Sequence, residues 1–300
     1  MQFVKKEHAI YSMTAKNAPA AYAENGETLV FETADCFSEQ LKTENDHLGA
    51  INWDTINPAT GPVFINGAEK GDTLKIEILK IALEKQAVIV ESPGEGITSA
   101  KACEDITKVL PVADGKNLIF NDRIIVPVRA MIGVIGTAPE SESISTGTPS
   151  EHGGNMDCKE IGEGTTLYLP VNVPGALLAM GDLHAAMGDG EVCVCGAEIS
   201  GQVTVKVTVI KGQPLPLPFL VTASAAMAIY SEEGLDAAAI GATLRMRDFL
   251  IDQAHFLPHE AGMLLSLAGD LRICQAVDPN KTVRMELPLK YLNDVGYVFP

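Results

Sequence analysis

Residues 202–210 read Gln-Val-Thr-Val-Lys-Val-Thr-Val-Ile. Apolar and polar side chains alternate there over a β-branched run. That is the period of a half-buried strand and not of a helix. Working upstream, residues 72–83 repeat the pattern, with Leu74, Ile76 and Ile78 on one face and Lys75, Glu77 and Leu79 on the other. Shorter β-type runs fall at 28–33, 118–120, 124–135, 165–173 and 176–180, split by Gly, Pro and Asn-Asp breaks. Many short strands punctuated in this way predict a mainly β chain, an elaborated sandwich of jelly-roll type, over residues 1–225.

Downstream of about residue 225 the period changes. Leu235, Ala239, Ala242, Met246, Phe249, Leu250 and Gln253 recur at helical spacing, which predicts a helix over 232–255 with Ser231 as N-cap. A second helix is expected to start at Pro258 and to stop at Gly269. Closing strands follow at 272–276 and 282–287. Residues 226–300 are therefore expected to form a smaller α+β part packed on the sandwich.

The chain of 300 residues carries 22 Lys+Arg against 39 Asp+Glu, a formal net charge of −17. A surface that acidic repels phosphate backbones and anionic lipid, so nucleic-acid and membrane-surface partners are not expected. No apolar run approaches the length of a membrane span, and residues 1–8 lack a secretory apolar segment. Cytoplasmic residence is the expectation. The six cysteines, at 36, 103, 158, 193, 195 and 274, form no C-x-x-C pair and are expected to be free thiols. P-loop, G-x-G-x-x-G and G-x-S-x-G patterns are absent, which removes support for nucleotide chemistry and for a serine elbow.

Groups capable of chemistry crowd into residues 152–157 (His-Gly-Gly-Asn-Met-Asp) and 181–191 (Gly-Asp-Leu-His-Ala-Ala-Met-Gly-Asp-Gly-Glu). Asp182 and His184 are two apart, so on an extended chain they face one side and can offer an oxygen and a nitrogen to one cation. Asp189-Gly190 signals a tight turn that folds Glu191 back toward His184. The plainer reading is a polar hairpin in which Asp182 hydrogen-bonds His184.

Several ordered motifs carry a resemblance. Asn-Pro-Ala-Thr-Gly-Pro at 57–62 runs on to Gly-Ala-Glu-Lys-Gly-Asp at 67–72. Gly-Val-Ile-Gly-Thr-Ala-Pro lies at 133–139 and Gly-Gly-Asn-Met-Asp at 153–157. Pro-Val-Asn-Val-Pro-Gly-Ala-Leu at 170–177 leads into Gly-Asp-Leu-His at 181–184, and Glu260 to Leu271 extends the match. Together they resemble the acetamidase/formamidase family. The resemblance implies hydrolysis of a small amide to carboxylate and ammonia or amine. It also implies a divalent metal, commonly zinc and sometimes calcium, a β-sandwich with a C-terminal α+β part, and a homodimer or higher homo-oligomer.

By that resemblance Asp157, Asp182, His184, Asp189 and Glu191 are carried over as site residues, and Asp35 as an acidic position in the early Asp-Cys element. The expected division is a metal held by Asp35, Asp157, Asp182 and His184, with Glu191 as general base and Asp189 ranked below it as turn chemistry. His152 and Asn155 orient the amide or polarise its carbonyl. A cysteine nucleophile at Cys158 or Cys36 is the second reading. It is disfavoured because the preceding aspartate is expected to raise the thiol pKa. A non-catalytic sandwich that binds a small amide is the third.

Overall fold

The computed structural model describes residues 2–300. Alternation in the sequence becomes two large sheets. The first has nine strands. At its centre Gly201–Ile210 pairs antiparallel with Thr73–Leu83 on one side and with Thr28–Thr33 on the other. Val203, Val205 and Val207 point inward and are fully buried, while Gln202 and Lys206 are exposed. Each buried valine contributes at most roughly 1.5–3 kcal/mol relative to an exposed one. The register on Thr73–Leu83 shifts between the partners of Thr204 and Val205, leaving Leu79 as an exposed bulge residue. The inward face therefore runs Leu74, Ile76, Ile78 and then Ile81.

The second sheet is built around Leu178–His184, which pairs with Met131–Gly136, Glu198–Ile199 and Ala59–Ile65. Leu29, Phe31 and Ile76 of the first sheet share one apolar core with Ile132, Ile135, Met180 and Leu183 of the second. That shared core makes the molecule a β-sandwich.

The C-terminal residues extend the first sheet. Ala225–Glu232, Lys281–Pro288 and Asp270–Gln275 continue it in that order. Along Ala225–Glu232, Met227 and Ile229 join the sandwich core, while Ala226 and Ala228 face a second core with Phe219, Met246 and Phe249. The helix Leu235–Asp252 covers that face with Ala238, Ala242, Met246, Phe249 and Leu250. It starts three residues later than the spacing predicts, and Gly234 is its N-cap. Ser231 cannot cap it, because the strand runs on through Ser231, whose hydroxyl meets Thr282 Oγ1 at 3.0 Å. The second helix, Pro258–Ala268 with Gly269 as C-cap, matches expectation. Among the described residues no helix is long and apolar enough to cross a membrane.

Candidate metal centre and substrate cavity

All seven residues of Leu178–His184 are buried, including Asp182 and His184. Burying ionisable groups in a central strand is costly unless partners compensate. The partners come from four other segments. Glu198 faces His184 directly across the antiparallel ladder, with its Oε1 3.0 Å from His184 Nε2. Asp182 Oδ1 lies 3.3 Å, Asp157 Oδ1 3.8 Å and Glu191 Oε1 3.9 Å from the same nitrogen. Asp278 reaches in from the loop after Asp270–Gln275, where its Oδ2 accepts a 2.9 Å hydrogen bond from Asn155 Nδ2.

Backbone geometry is bent to achieve this. Asp157, Asp182 and Glu191 have φ of +42°, +55° and +46°, values that side-chain-bearing residues rarely adopt. Strain of that kind concentrates where a site requires it. Gly133 makes the approach possible. A Cβ there would stand 2.5 Å from Asp182 Oδ2 and closer still to Asp157 Oδ1. Gly196 does the same behind the imidazole, where a Cβ would be 2.5 Å from His184 Nδ1. Gly190, at φ +97°, makes the turn that returns Glu191.

That turn is tied down from the C-terminal part. Gly190 N–H donates to Cys274 C=O at 2.9 Å. The buried Arg284 holds Asp189 with two bonds, Nη1 to Oδ1 at 2.7 Å and Nη2 to Oδ2 at 3.0 Å, and Lys159 Nζ adds a third at 2.9 Å. Asp189 thus anchors the loop and does not face the cluster.

Electrostatics follow from the crowding. Burial, and then the neighbouring Asp182, push Asp157 up to about 7. Burial pushes Glu198 up to about 8, against the pull of His184. Burial and Asp157 hold Glu191 and Asp278 well above the usual carboxylate range. For His184 burial acts downward, but Glu198 and Asp182 outweigh it and raise the imidazole well above its ordinary value. Asp157 Oδ1, Asp182 Oδ1, Glu191 Oε2, Glu198 Oε2 and Asn155 Oδ1 are buried without a hydrogen-bond partner among the described residues. Buried acceptors in that number can hold a cation or, when protonated, bond one another. Two sets of donor atoms lie within 4.8 Å of one another: Asp157, His184 and Glu191, and Cys36, Asp182 and Glu198. Mixed carboxylate, imidazole and thiol donors suit a divalent ion such as zinc.

The cluster forms the floor of a cavity of about 260 Å3, whose lining includes Asn155, Asp182, His184, Glu191, Glu198 and Asp278. Not every residue singled out from the sequence reaches it. Asp35 Oδ1 accepts N–H bonds from Phe37 at 3.0 Å and Glu39 at 2.9 Å, so its carboxylate closes a turn. Its neighbour Cys36 lines the cavity instead. His152 lines a separate cleft with Glu151 and Asn172, and burial lowers its imidazole to about 4. The turn through Gly153 and Gly154 directs Asn155, and not His152, inward. Cys158 is fully buried and is not part of the cavity lining. Its thiol is lowered and not raised as expected. Burial opposes this, but a hydrogen bond from Cys274 and the charge of Arg284 prevail. Cys36 behaves as expected, because burial, Glu198 and Asp182 hold its thiol well above the ordinary value.

Glu198, Asp278 and Cys36 as a candidate ligand escaped the sequence reading. A local signal existed for Glu198, a lone carboxylate within Cys-Gly-Ala-Glu-Ile at 195–199. None existed for Asp278.

The family model described as Acetamidase/Formamidase matches residues 15–147 and 140–293. The chain belongs to the acetamidase/formamidase family. Within that family, the solved acetamidase of Bacillus halodurans is 48% identical, with a TM-score of 0.96 over 98% of this chain and 99% of that one. A Thermoanaerobacter tengcongensis structure is 42% identical, with a TM-score of 0.95 over 100% of this chain and 99% of that one. A curated relative from Schizosaccharomyces pombe is 29% identical over 253 residues, 63% of this chain. The match spans only 60% of that relative's length. The four-segment convergence on His184 thus belongs to an acetamidase/formamidase fold that is nearly superimposable on the bacterial structures.

Proposed function

We propose that this protein is a metal-dependent amidase that hydrolyses a carboxamide to a carboxylate and ammonia. The observation that carries the reading is the set of unpartnered buried oxygens around His184 at the floor of a solvent-connected cavity. The family membership and the acetamidase name of the Bacillus halodurans relative support it.

In this reading Asp157, Asp182, His184 and Glu198 hold a divalent cation, and Asp35 does not take part. A cation held there would supply Lewis acidity and lower the pKa of a water toward neutral. Glu191, which lines the cavity with its Oε2 unpartnered, accepts a proton from the attacking water. The water oxygen bonds to the carbonyl carbon. Glu191 then returns the proton to the amide nitrogen, and the C–N bond breaks to release ammonia and the acid. Asn155, held by Asp278, orients the amide through its free Oδ1. A cysteine mechanism is less favoured, because Cys158 lies outside the cavity lining and the raised Cys36 thiol carries little thiolate.

The test is ammonia release from acetamide and formamide before chelation, after it and after cation is restored. Loss and recovery of turnover are expected. Full activity in verified metal-free protein would refute the metal role, and sensitivity to iodoacetamide with chelator resistance would transfer it to Cys36.

A further inference from the structure

The cavity is larger than acetamide alone needs, and most of its lining is apolar. Acetamide fills about 80 Å3 on the scale on which a water molecule takes ~30 Å3. A cation and its water take about two more water volumes. The cavity measures about 260 Å3, so a third or more is left over.

The rest of the lining mixes polar residues such as Asn57, Glu95 and Thr148 with a larger apolar set. At the floor the acidic cluster is buried. In that apolar set Phe37 and Leu48 are buried, and Ile56, Val194 and Val277 are half-buried. At the rim stands Trp53, the only tryptophan of the chain, 46% exposed on a short 3-10 turn. A large aromatic left half in water beside an apolar wall is a surface that gains free energy when a ligand covers it.

The floor has its own polarity. With Asp157, Asp182, His184 and Glu198 taken up by the cation, the acceptors left at the cavity are Glu191 Oε2 and Asn155 Oδ1. An unsubstituted amide nitrogen brings two N–H donors to such a floor, whereas a substituted one brings fewer and adds bulk where the side chains are closest. The NH2 end therefore belongs at the floor, and the acyl group extends toward Trp53.

We infer that the preferred substrate is a primary carboxamide with an apolar acyl group, a medium-chain aliphatic or an aryl amide, and that Trp53 sets this preference by covering the acyl group. This rests on the amidase reading above and narrows its substrate. The hydrolysis keeps the same atom balance: water adds to the acyl carbon and the unsubstituted nitrogen leaves as ammonia.

Steady-state kinetics on the metal-loaded enzyme test it with formamide, acetamide, hexanamide, benzamide and a γ-lactam. Hexanamide or benzamide is expected to exceed acetamide in kcat/KM roughly tenfold or more, since each buried methylene multiplies transition-state affinity. Trp53→Ala is expected to shrink the hexanamide-to-acetamide ratio about fivefold or more, and Trp53→Phe to restore most of it. A ratio taken on one preparation is independent of how much of the variant folds. Acetamide or formamide turned over as well as the larger amides overturns the inference and leaves the amidase reading standing. Preference for the lactam overturns it as well, and so does an unchanged ratio in Trp53→Ala. Failure of every amide, with metal bound, overturns both.

Discussion

Asp182 and His184 are separated by one residue, and Asp182 Oδ1 lies 3.3 Å from His184 Nε2 with Asp182 at a φ of +55°. The strand is extended on either side and broken at the residue that contributes a carboxylate. Space for that break comes from Gly133 on the neighbouring strand, against which Asp182 and Asp157 both lie.

Gly133→Ala should therefore damage the site before it damages the fold. The added methyl meets two carboxylate oxygens in a fully packed place, a conflict that typically costs about 1–3 kcal/mol. Cation affinity and turnover should fall by an order of magnitude or more, while the far-ultraviolet spectrum stays that of the parent. Elemental analysis and ammonia release on the purified variant check this. Parental metal content with parental kcat would show that the close approach at Gly133 has no function.

Glu191→Gln removes the proposed proton acceptor and leaves the donor atoms of Asp157, Asp182, His184 and Glu198 in place. A general base typically contributes ~10²–10⁴-fold. The expected outcome is retained cation with kcat reduced within that range. A variant that loses its cation instead would make Glu191 a ligand.

Arg284→Met tests how the C-terminal part supports the site. Arg284 is buried and holds Asp189 bidentately, and Asp189 begins the turn that returns Glu191. Removing it leaves Asp189 with Lys159 as its remaining cation. Asp189 is exposed and keeps Lys159, so losing these charge-assisted hydrogen bonds costs roughly 1.5–3 kcal/mol. A lower melting temperature is expected together with a reduced kcat in the fraction that stays folded, measured by thermal unfolding and by assay well below the transition.

Removal of metal should make stability fall as pH rises from about 4.5 to about 8. In the metal-free protein Asp157 titrates at about 7 and Glu198 at about 8, above the ordinary carboxylate values of 3.8 and 4.5. The folded state then holds more protons than the unfolded chain, so its stability is lost as pH climbs through the folded values. His184, also raised, acts in the same direction. His152, lowered to about 4, opposes this only below its ordinary 6.5. The melting temperature without metal should drop between about pH 4.5 and 8, and added cation should abolish the drop. A flat or rising profile without metal would contradict the burial argument.

Much of this architecture was legible in the chain because period-2 alternation directly encodes which side chains face the core. Residues 73–83 and 201–210 illustrate it, as does the helix delimited by Pro258 and Gly269. Ser231 was misread because a good capping residue in a β-branched context can serve a strand equally well, and pairing with Thr282 decided it. Within the site, the local pieces were readable: the Asp182–His184 pair and the Gly190 turn that returns Glu191. Glu198 was not, because its place opposite His184 depends on the register between two strands separated by a long loop. Asp278 depends on the C-terminal strands joining the first sheet, a long-range event with no local signature. Asp35 closes a local turn through its Oδ1 while Cys36 lines the cavity, a difference set by backbone geometry that residue type alone does not encode.

On the proposed function, the cluster around His184 holds a divalent cation on which hydrolysis depends. Anomalous X-ray scattering from crystals of the purified protein, paired with ammonia release from the same preparation, tests it most directly. The expected result is a strong anomalous peak bounded by Asp157, Asp182, His184 and Glu198, lost together with activity in His184→Ala. An amidase fully active with no anomalous scatterer at that place would contradict it.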